Sequence, residues 1–510
     1  MWKFITAALL FVLVLAGALT FKFFRDEQNE EKNRNTAQQQ KGTISLALDA
    51  YAGYYPLRSD QMVTDMLSKG YRLALNLDEG DYAARIDMLE KGEIDLAVFT
   101  VDSFILNGMK NDFPGTIIAV LSESNGADAI VARADVASTL DDLKENKDLR
   151  ISYTPKSPSE HLLKVVGSHF GVDRFLEKRG NWRVGSDGSQ EAMDKLKNNQ
   201  SDVAVIWEPH ITRILDDKNY VKLLGTESTK GIIVDVLVAS RTFLQENGEE
   251  AELFLSTYFK ALKRLRSDRS KFVSGLSKME KVDKKLAENM VEGVGFFSLY
   301  ENAVDWFGIP VEGQKANFGL YQTIEQTSQI LIQAGDFSSS PLPSGDPRKI
   351  FISKYIENLL NSFDPKGLSG SSSKTVFEPL SDAAWSQLKP IGTLKIDPIP
   401  FNTGSQSVDT TGIESIEKII ETLSSYPSLR ILVEGHTGTS GIREANIELS
   451  KQRAGAVVES LISRFGINRN RLRAVGVGPD KPLARSQEES VRAWRNRLSR
   501  VEIKFLKEVF

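Results

Sequence analysis

The sequence contains no cysteine among its 510 residues. This absence excludes disulfide bridges, thiol catalysis, cysteine-bound metals and the lipid-modified cysteine of a lipoprotein. Histidine is almost as scarce, because the chain holds only four, and no two of them are close enough in sequence to form a zinc-binding pair. The sequence therefore predicts no metal site and no cofactor.

An excess of positive charge is also lacking. The 64 lysines and arginines are outnumbered by 68 aspartates and glutamates, which gives a formal net charge of −4. Proteins that bind nucleic acid carry a basic field, so we exclude nucleic acid as a partner. Hydrophobic residues make up 41% of the chain. At roughly 150 residues per domain, a chain of this length and hydrophobic content has room for about two to four domains.

Long hydrophobic runs are absent from the sequence except near its start, where an apolar segment extends from Phe4 to Phe21. A helix of this length spans about 27 Å, the thickness of a bilayer core. We interpret residues 1–25 as a transmembrane anchor, a single helix in the bacterial inner membrane with the bulk of the chain in the periplasm. The Ala-Gly-Ala triplet at 16–18 leaves a cleaved signal segment, and hence a soluble periplasmic protein, as the alternative.

Two polar segments divide the remainder of the chain. Residues 26–41 have no large aliphatic or aromatic side chain and predict a solvated tether. Residues 363–389 contain the Gly/Ser-rich stretch SGSSSK and predict a flexible linker followed by a lead-in segment. We therefore expect one domain over residues 42–362 and a second over residues 390–510.

Strand and helix signals alternate through residues 42–362. Apolar segments predict strands and amphipathic stretches between them predict helices, a pattern typical of layered α/β proteins. One pattern occurs twice, as LEKGEIDLAV with Asp95 and as LKNNQSDVAV with Asp202. Each copy predicts a helix end, a turn, an aspartate and a buried strand. The repeat predicts an α/β fold of two lobes with a cleft between them.

Residues of about 42–360 resemble type 2 periplasmic solute-binding proteins of the nitrate, aliphatic-sulfonate and thiamine-precursor group of ABC transporters. The resemblance rests on the segments KGEIDLAVFT, LRISYTPKSPSEHLL, NNQSDVAVIWEP and GVGFFSLYENAVDWFG. It implies a two-lobed domain that is not an enzyme and that binds a small-molecule solute between its lobes.

Most of the candidate binding residues follow predicted strands, because ligands of open α/β sheets lie beyond the carboxyl ends of the strands. Asp235 is a candidate because it lies where the chain returns through the hinge between the lobes. Aromatic side chains there suit stacking on a ring or a cation, and serines at a helix start suit an anion. Rim packing and plain helix capping are the alternatives for these two groups. The predicted ligand-binding residues are Asp49, Tyr51, Tyr54, Thr100, Asp102, Ser157, Ser159, Glu208 and Asp235.

Carboxylates dominate this set, and Glu123 is a further candidate. Several carboxylates in one cleft disfavour a doubly charged anion and favour a solute that carries an amine or several hydroxyls. Glu123 and Glu208 are also the kind of acid pair that a glycosidase uses. The sequence has no nucleophile elbow, phosphate-binding loop or dinucleotide-binding glycine pattern, so we predict no catalytic residue.

Residues 390–510 show the clearest periodicity. Pro398–Phe401 and Leu429–Glu434 predict strands, and an apolar stripe between them predicts a helix. Arg443–Ser463 predicts a long helix, and strands follow at 473–476 and 500–505. The order β-α-β-α-β-β predicts a small α/β sandwich.

The segment GHTGTSGIREANIELSKQRAGAVVESL resembles the central signature of OmpA-like peptidoglycan-binding domains, and the flanking segments extend the resemblance over about 390–507. The resemblance implies peptidoglycan as a partner and Thr437, Asn446, Arg453 and Arg500 as binding residues. In this family an aspartate and a helical arginine hold the diaminopimelate end of a stem peptide. That group carries both an ammonium and a carboxylate, so it needs an acid and a cation together.

The sequence departs from the family pattern in two places. Gly438 stands where the family has its aspartate, and Leu498-Ser499-Arg500 replaces the family's Asn-Arg-Arg. Losing one charge-assisted hydrogen bond costs about 1.5–3 kcal/mol, which weakens binding roughly ten- to a hundredfold. Glu444 and Asp480 are candidates to replace the missing acid. A domain retained for protein docking or dimerisation is the alternative.

These signals together predict a non-enzymatic envelope protein that acts as a wall-associated solute sensor or scaffold. A receptor held at both membrane and wall cannot move freely to a permease, whereas closure of its cleft on a solute would reorient its two ends. Two alternatives stay open. One is a receptor that delivers solute to an ABC permease or works with a sensor protein, and the other is a structural anchor with an inactive cleft.

Overall fold

A computed structural model describes residues 40–312, 314–362, 376–401 and 406–508. The predicted anchor over 1–25, the predicted tether except its last two residues, and the SGSSSK part of the predicted linker lie outside the described residues. None of the described helices is both long enough and apolar enough to cross a membrane.

The first lobe is built on a six-stranded mixed sheet in the order β11-β4-β10-β3-β1-β2. Its strands are β1 (Gly42–Leu48), β2 (Tyr71–Leu77), β3 (Leu96–Thr100), β4 (Gly115–Ser124), β10 (Val234–Ser240) and β11 (Val294–Phe296). The longer helices of this lobe are Asp60–Ser68, Tyr82–Lys91, Val101–Gly108, Gly248–Ser267, Arg269–Glu280, Lys284–Glu292, Gly319–Gln333 and Lys354–Ser362, and the shorter ones are Tyr55–Arg58, Arg241–Glu246 and Leu299–Glu301.

The second lobe is built on a five-stranded sheet in the order β7-β6-β8-β5-β9. Its strands are β5 (Asp128–Arg133), β6 (Ile151–Tyr153), β7 (Arg183–Gly185), β8 (Val203–Trp207) and β9 (Tyr220–Gly225). Its helices are Leu140–Glu145, Pro158–Phe170, Ser189–Lys197 and His210–Leu215. The chain enters this lobe after β4 and leaves it before β10, so the two-lobed α/β fold predicted from the sequence is confirmed.

The repeated aspartate pattern has a structural role in both lobes. The Asp95 carboxylate accepts hydrogen bonds from the Ser45 backbone N–H at 2.8 Å and from the Ser45 hydroxyl at 2.7 Å. The Asp202 carboxylate accepts the backbone N–H of Arg150 at 2.9 Å in the same way. Each aspartate therefore joins the start of a buried strand to its neighbouring strand, which is why the pattern occurs once per lobe.

The C-terminal unit is an α/β sandwich with a four-stranded sheet in the order β12-β15-β13-β14. Its strands are β12 (Lys389–Thr393), β13 (Arg430–His436), β14 (Leu472–Gly478) and β15 (Arg500–Lys507). Its helices are Asp382–Ser386, Thr410–Ser424, Arg443–Ser463 and Val491–Leu498. The first strand differs from the prediction, because Pro398–Phe401 forms no strand and Phe401 makes only an isolated bridge to Val408.

Residues 376–388 belong to this C-terminal unit, although the sequence predicted them as a lead-in to it. The Phe377 side chain is buried, and its carbonyl accepts a hydrogen bond from the Asn470 amide at 3.0 Å. The buried Arg430 guanidinium donates to the Glu378 carbonyl at 2.8 Å. The unit therefore begins at or before residue 376 rather than at residue 390.

The C-terminal unit packs directly against the second lobe, and the two share one hydrophobic core. The Tyr426 ring contacts Phe505 at 4.8 Å and Phe170 of the second lobe at 5.5 Å between ring centroids. The Tyr426 hydroxyl lies 3.0 Å from His169 Nδ1. At the edge of this interface, Lys507 Nζ pairs with Glu227 at 2.6 Å. The second lobe and the C-terminal unit are thus held as one packed body.

Candidate functional site

A cleft of about 470 Å³ opens between the two lobes, at the ends of the strands where the sequence predicted it. Residues from the first lobe, from the strands that connect the lobes and from the second lobe all contribute to its wall. This size is typical of a site for a small organic solute.

Seven of the nine predicted ligand-binding residues line this cleft. They are Asp49, Tyr51, Tyr54, Thr100, Ser157, Glu208 and Asp235. Asp102 and Ser159 are instead buried behind the wall, each with a side-chain oxygen that has no hydrogen-bond partner among the described residues. Glu123 also lies away from the wall, where its carboxylate accepts the Gly231 N–H at 3.1 Å. That position gives no support to a Glu123–Glu208 acid pair.

On the first-lobe side, two cleft carboxylates share one arginine of the protein. The fully buried Arg85 guanidinium donates to Asp49 at 2.9 Å and to Asp78 at 2.8 Å. The Arg85 guanidinium also lies over the Tyr82 ring, 4.9 Å from its centroid, and is held there as a buried group. Asp49 therefore acts here as one arm of an ion-pair triad that shapes the cleft.

Two further carboxylates line the cleft where the chain passes between the lobes. The Asp235 carboxylate accepts hydrogen bonds from the Tyr54 and Ser122 hydroxyls, both at 2.7 Å. The Asp128 carboxylate accepts the Ser124 hydroxyl at 2.6 Å. Burial raises the pKa of Asp235 to about 8 and the pKa of Asp128 to about 7, because these hydroxyls replace only part of the lost hydration.

The second-lobe wall places a helix start beside the cleft. The Ser157 hydroxyl caps the helix Pro158–Phe170 by accepting the Ser159 N–H at 3.2 Å, so the capping alternative is confirmed for Ser157. The Glu160 carboxylate also lies at this helix start and accepts the Lys156 N–H at 2.6 Å. Arg183 and Lys164 pair with this carboxylate, so the helix start carries an internal cluster of ion pairs.

Several cleft residues were not identified from the sequence, and Asp128, Trp207 and Tyr82 are three of them. Asp128 starts β5, Trp207 ends β8, and Tyr82 starts a first-lobe helix, yet all three line the cleft. The rule that singled out residues after strand ends could have found Trp207. It could not have found Asp128 or Tyr82, because they stand at the beginnings of their elements.

The C-terminal unit presents the residues that the OmpA-like resemblance implied. Arg453 donates to the Ser499 hydroxyl at 2.8 Å, and its guanidinium lies 5.1 Å from the Phe401 ring centroid. The Asn446 amide donates to the Ser440 carbonyl at 2.9 Å. The Thr437 hydroxyl is buried with no partner among the described residues, and Arg500 pairs with Glu502 at 2.6 Å. Arg500 is therefore engaged within its own strand.

The missing acid leaves open space at Gly438. A Cβ atom built there would meet no atom within 4 Å among the described residues. Of the two candidate replacements, Asp480 is held by Arg443 at 2.9 Å. The Glu444 side chain is 78% exposed and lies 4.0 Å from Arg443.

A cluster of Glu434, His436 and Glu502 brings three groups of metal-ligand type within 4.8 Å of one another. Lys504 already neutralises Glu434 at 2.6 Å, and Arg500 neutralises Glu502. Burial would raise the pKa of Glu502, but the adjacent His436 and the cations Arg500 and Lys504 hold this pKa well below its usual range. This cluster is best described as an ion-pair network.

Comparison of the sequence with known proteins places the similarity in the C-terminal unit. The profile of the OmpA family matches residues 400–497. The peptidoglycan-associated lipoprotein of Rhizobium meliloti is 36% identical over 88 residues, which cover 17% of this chain and 49% of that protein. Outer membrane protein Omp38 of Acinetobacter baumannii is 32% identical over 98 residues, 19% of this chain and 28% of that protein. The chain thus spans about half or less of these two relatives.

A longer match is found with the peptidoglycan-associated lipoprotein of Agrobacterium fabrum. It is 33% identical over 129 residues, which cover 25% of this chain and 67% of that protein. Among solved structures, the alkanesulfonate-binding protein SsuA from Xanthomonas axonopodis pv. citri aligns with a TM-score of 0.46 and 13% identity, covering 62% of this chain and 99% of that one. The nitrate-binding protein NrtA from Synechocystis PCC 6803 aligns with a TM-score of 0.47 and 14% sequence identity. The alignment covers 65% of this chain and 91% of that one.

Proposed function

Because the chain belongs to the OmpA family through its residues 400–497, we propose that it is a non-enzymatic protein of the bacterial envelope with two binding activities. Its C-terminal unit binds peptidoglycan, and its interlobe cleft binds a small solute. With residues 1–25 as an inner-membrane anchor, the protein acts as a wall-associated solute sensor or scaffold in the periplasm.

The wall-binding part of the proposal is supported by Arg453. The relatives named as peptidoglycan-associated lipoproteins match this unit, and Arg453 occupies the position of the family's helical arginine. The guanidinium is half-exposed at the surface beside Ser499 and Phe401, within reach of a carboxylate on a stem peptide. The open space at Gly438 means that half of the family's clamp is absent but that its place is not blocked.

The cleft between the lobes is the central observation in support of solute binding. Both lobes and the connecting strands supply polar and aromatic side chains to one cavity of about 470 Å³. Cavities of this kind, with a few polar groups that converge from several elements, are the usual sites of small-molecule binding.

The packing of the C-terminal unit favours a sensor or scaffold over free delivery of solute. The unit shares a core with the second lobe, whereas the chain enters the first lobe directly after the N-terminal segment, at Gly42. Wall binding therefore fixes the second lobe, and membrane attachment constrains the first. Closure of the cleft on a solute would then shift the two attachment points relative to each other.

Co-sedimentation with purified peptidoglycan sacculi tests the wall-binding part. The full-length protein is expected to pellet with sacculi, and Arg453→Ala is expected to abolish most of that binding. Gly438→Asp is expected to tighten binding roughly ten- to a hundredfold, because it restores a charge-assisted hydrogen bond of about 1.5–3 kcal/mol at a position with room for it.

The matched control is Arg464→Ala, which removes an exposed arginine just after the end of the same helix and should leave pelleting unchanged. Equal pelleting of the wild type and Arg453→Ala would contradict a family-type wall site. Pelleting by Gly438→Asp alone would show that the site has lost its function in this chain.

A further inference from the structure

The cleft wall has a strong imbalance of charge. Among the described residues that line it, eight are carboxylates: Asp49, Asp78, Glu79, Asp128, Asp187, Glu208, Asp235 and Glu280. The basic residues in the same set are Arg213 and His210. Burial lowers the pKa of His210 to about 4, so His210 is neutral at physiological pH. The net field inside the cleft is negative.

Three of these carboxylates already have a cation from the protein. Arg85 pairs with both Asp49 and Asp78, and Arg58 pairs with Glu280 at 2.6 Å. The other five have no ion-pair partner within 4 Å in the described part of the chain, and Asp128 and Asp235 are the two buried members of this group. Hydroxyls are their side-chain hydrogen-bond partners. A buried carboxylate without a counter-cation is costly unless a ligand supplies one.

Aromatic side chains adjoin these two acids. Tyr51 and Tyr54 form an edge-to-face pair with centroids 5.2 Å apart, and Trp207 lines the opposite lobe. The Tyr51 hydroxyl is buried and has no hydrogen-bond partner among the described residues. Negatively charged ring faces beside carboxylates form a well-known environment for organic ammonium groups.

We propose that the cleft recognises an organic cation, a solute with an amine or quaternary ammonium group that lies against Asp128 and Asp235 and beside Tyr51 and Trp207. This inference rests on the proposed solute-binding function and names its ligand class.

Cation binding should be coupled to proton release. Burial raises the pKa of Asp235 to about 8 and that of Asp128 to about 7, so both are largely protonated in the empty cleft below pH 7. A bound cation stabilises their ionised forms and displaces their protons. Affinity should therefore rise between pH 6 and pH 8, with release of about one proton per ligand near pH 7.

The titratable groups that face these two acids come from several elements. Those around Asp235 are Asp49, Tyr51, Tyr54, Tyr82, Asp128 and Tyr258, and those around Asp128 are Tyr51, Asp102, Glu208 and Asp235. All of them are acids or tyrosines, so none adds a positive charge that would weaken the expected pH dependence.

Isothermal titration calorimetry on the full-length protein tests the inference, with choline and putrescine as cationic probes and ethanesulfonate and nitrate as anionic probes. At least one cation is expected to bind, at least tenfold more tightly at pH 8 than at pH 6. Asp235→Asn should weaken that binding at least tenfold. Asp87→Asn removes the same charge from an exposed site on the Tyr82–Lys91 helix and should leave it unchanged.

Each other outcome has a distinct meaning. Binding of ethanesulfonate or nitrate without cation binding would overturn the ligand class but leave the solute-binding function intact. Cation binding that Asp235→Asn does not weaken would overturn the assigned site. Absence of heat with all four probes would overturn the cationic class and count against the solute-binding function as well, whereas the sacculus experiment would still decide wall binding independently.

Discussion

Replacing Asp235 by asparagine is expected to stabilise the ligand-free protein at alkaline pH. The pKa of Asp235 is raised by burial from 3.8 to about 8 in the folded protein. When folding raises the pKa of a group, the contribution of that group to the free energy of unfolding is fully present below its pKa in the unfolded chain, which is near 4 for aspartate. This contribution is lost as the pH rises towards 8. The wild type should therefore lose about 5–6 kcal/mol from this residue across that range. Asparagine is neutral at every pH and avoids the loss.

The substitution keeps the local hydrogen bonds, because asparagine resembles protonated aspartate in shape. Its carbonyl oxygen can accept from Tyr54, and its amide can donate to Ser122. Urea unfolding of the wild type and Asp235→Asn from pH 4.5 to pH 9 measures the effect. The free energies of unfolding of the wild type and Asp235→Asn should be close at pH 4.5 and should diverge steadily as the pH rises, with Asp235→Asn the more stable. The control Asp87→Asn should follow the wild type. Parallel curves would show that Asp235 is ionised in the folded protein.

The second large effect is expected at the contact between the second lobe and the C-terminal unit. Tyr426 is fully buried between Phe170 and Phe505. Tyr426→Ala should therefore destabilise the protein by about 3–5 kcal/mol and loosen the contact between the two units. Tyr426→Phe removes only the hydroxyl that bonds His169 and should cost about 0.5–1.5 kcal/mol.

Loosening of this contact can be distinguished from general destabilisation. Because the chain has no native cysteine, nitroxide labels can be placed specifically at Lys197→Cys in the second lobe and Glu417→Cys in the C-terminal unit, both exposed sites. Electron spin resonance should give a narrow distance distribution in the wild type and a broad one in Tyr426→Ala. The control Phe104→Ala, in the first-lobe core, should destabilise the protein without broadening the distance distribution between the labels. A narrow distribution in Tyr426→Ala would mean that other contacts hold the units together.

Much of the architecture was predictable, because it depends on local periodicity. The helix Arg443–Ser463 begins and ends where its sequence pattern predicted. The strands of both lobes were largely found from apolar segments, although β9 and the short strands β7 and β11 were not. Strands of three residues carry too few side chains to show an alternating or apolar pattern.

The position of the cleft could be predicted from the sequence, but the ion pairing of its carboxylates could not. The rule for strand ends found Asp49, and the return of the chain through the hinge pointed to Asp235. Neither argument could show that Arg85 pairs with the first and that no cation in the described chain pairs with the second. Such pairing is set by tertiary packing between residues distant in sequence. The same limit applies to Phe170 and Tyr426, whose apolar character predicted burial in their own units and gave no sign that they meet.

The shared core also has a consequence for the order in which the protein folds. Phe170 and the other second-lobe residues of the interface are synthesised hundreds of residues before Phe505 completes their cover. At usual synthesis rates this interval lasts on the order of 20–60 s. Throughout it, an otherwise finished lobe presents an apolar surface to its surroundings. The apolar surface of the second lobe therefore stays uncovered until strand β15 has been synthesised.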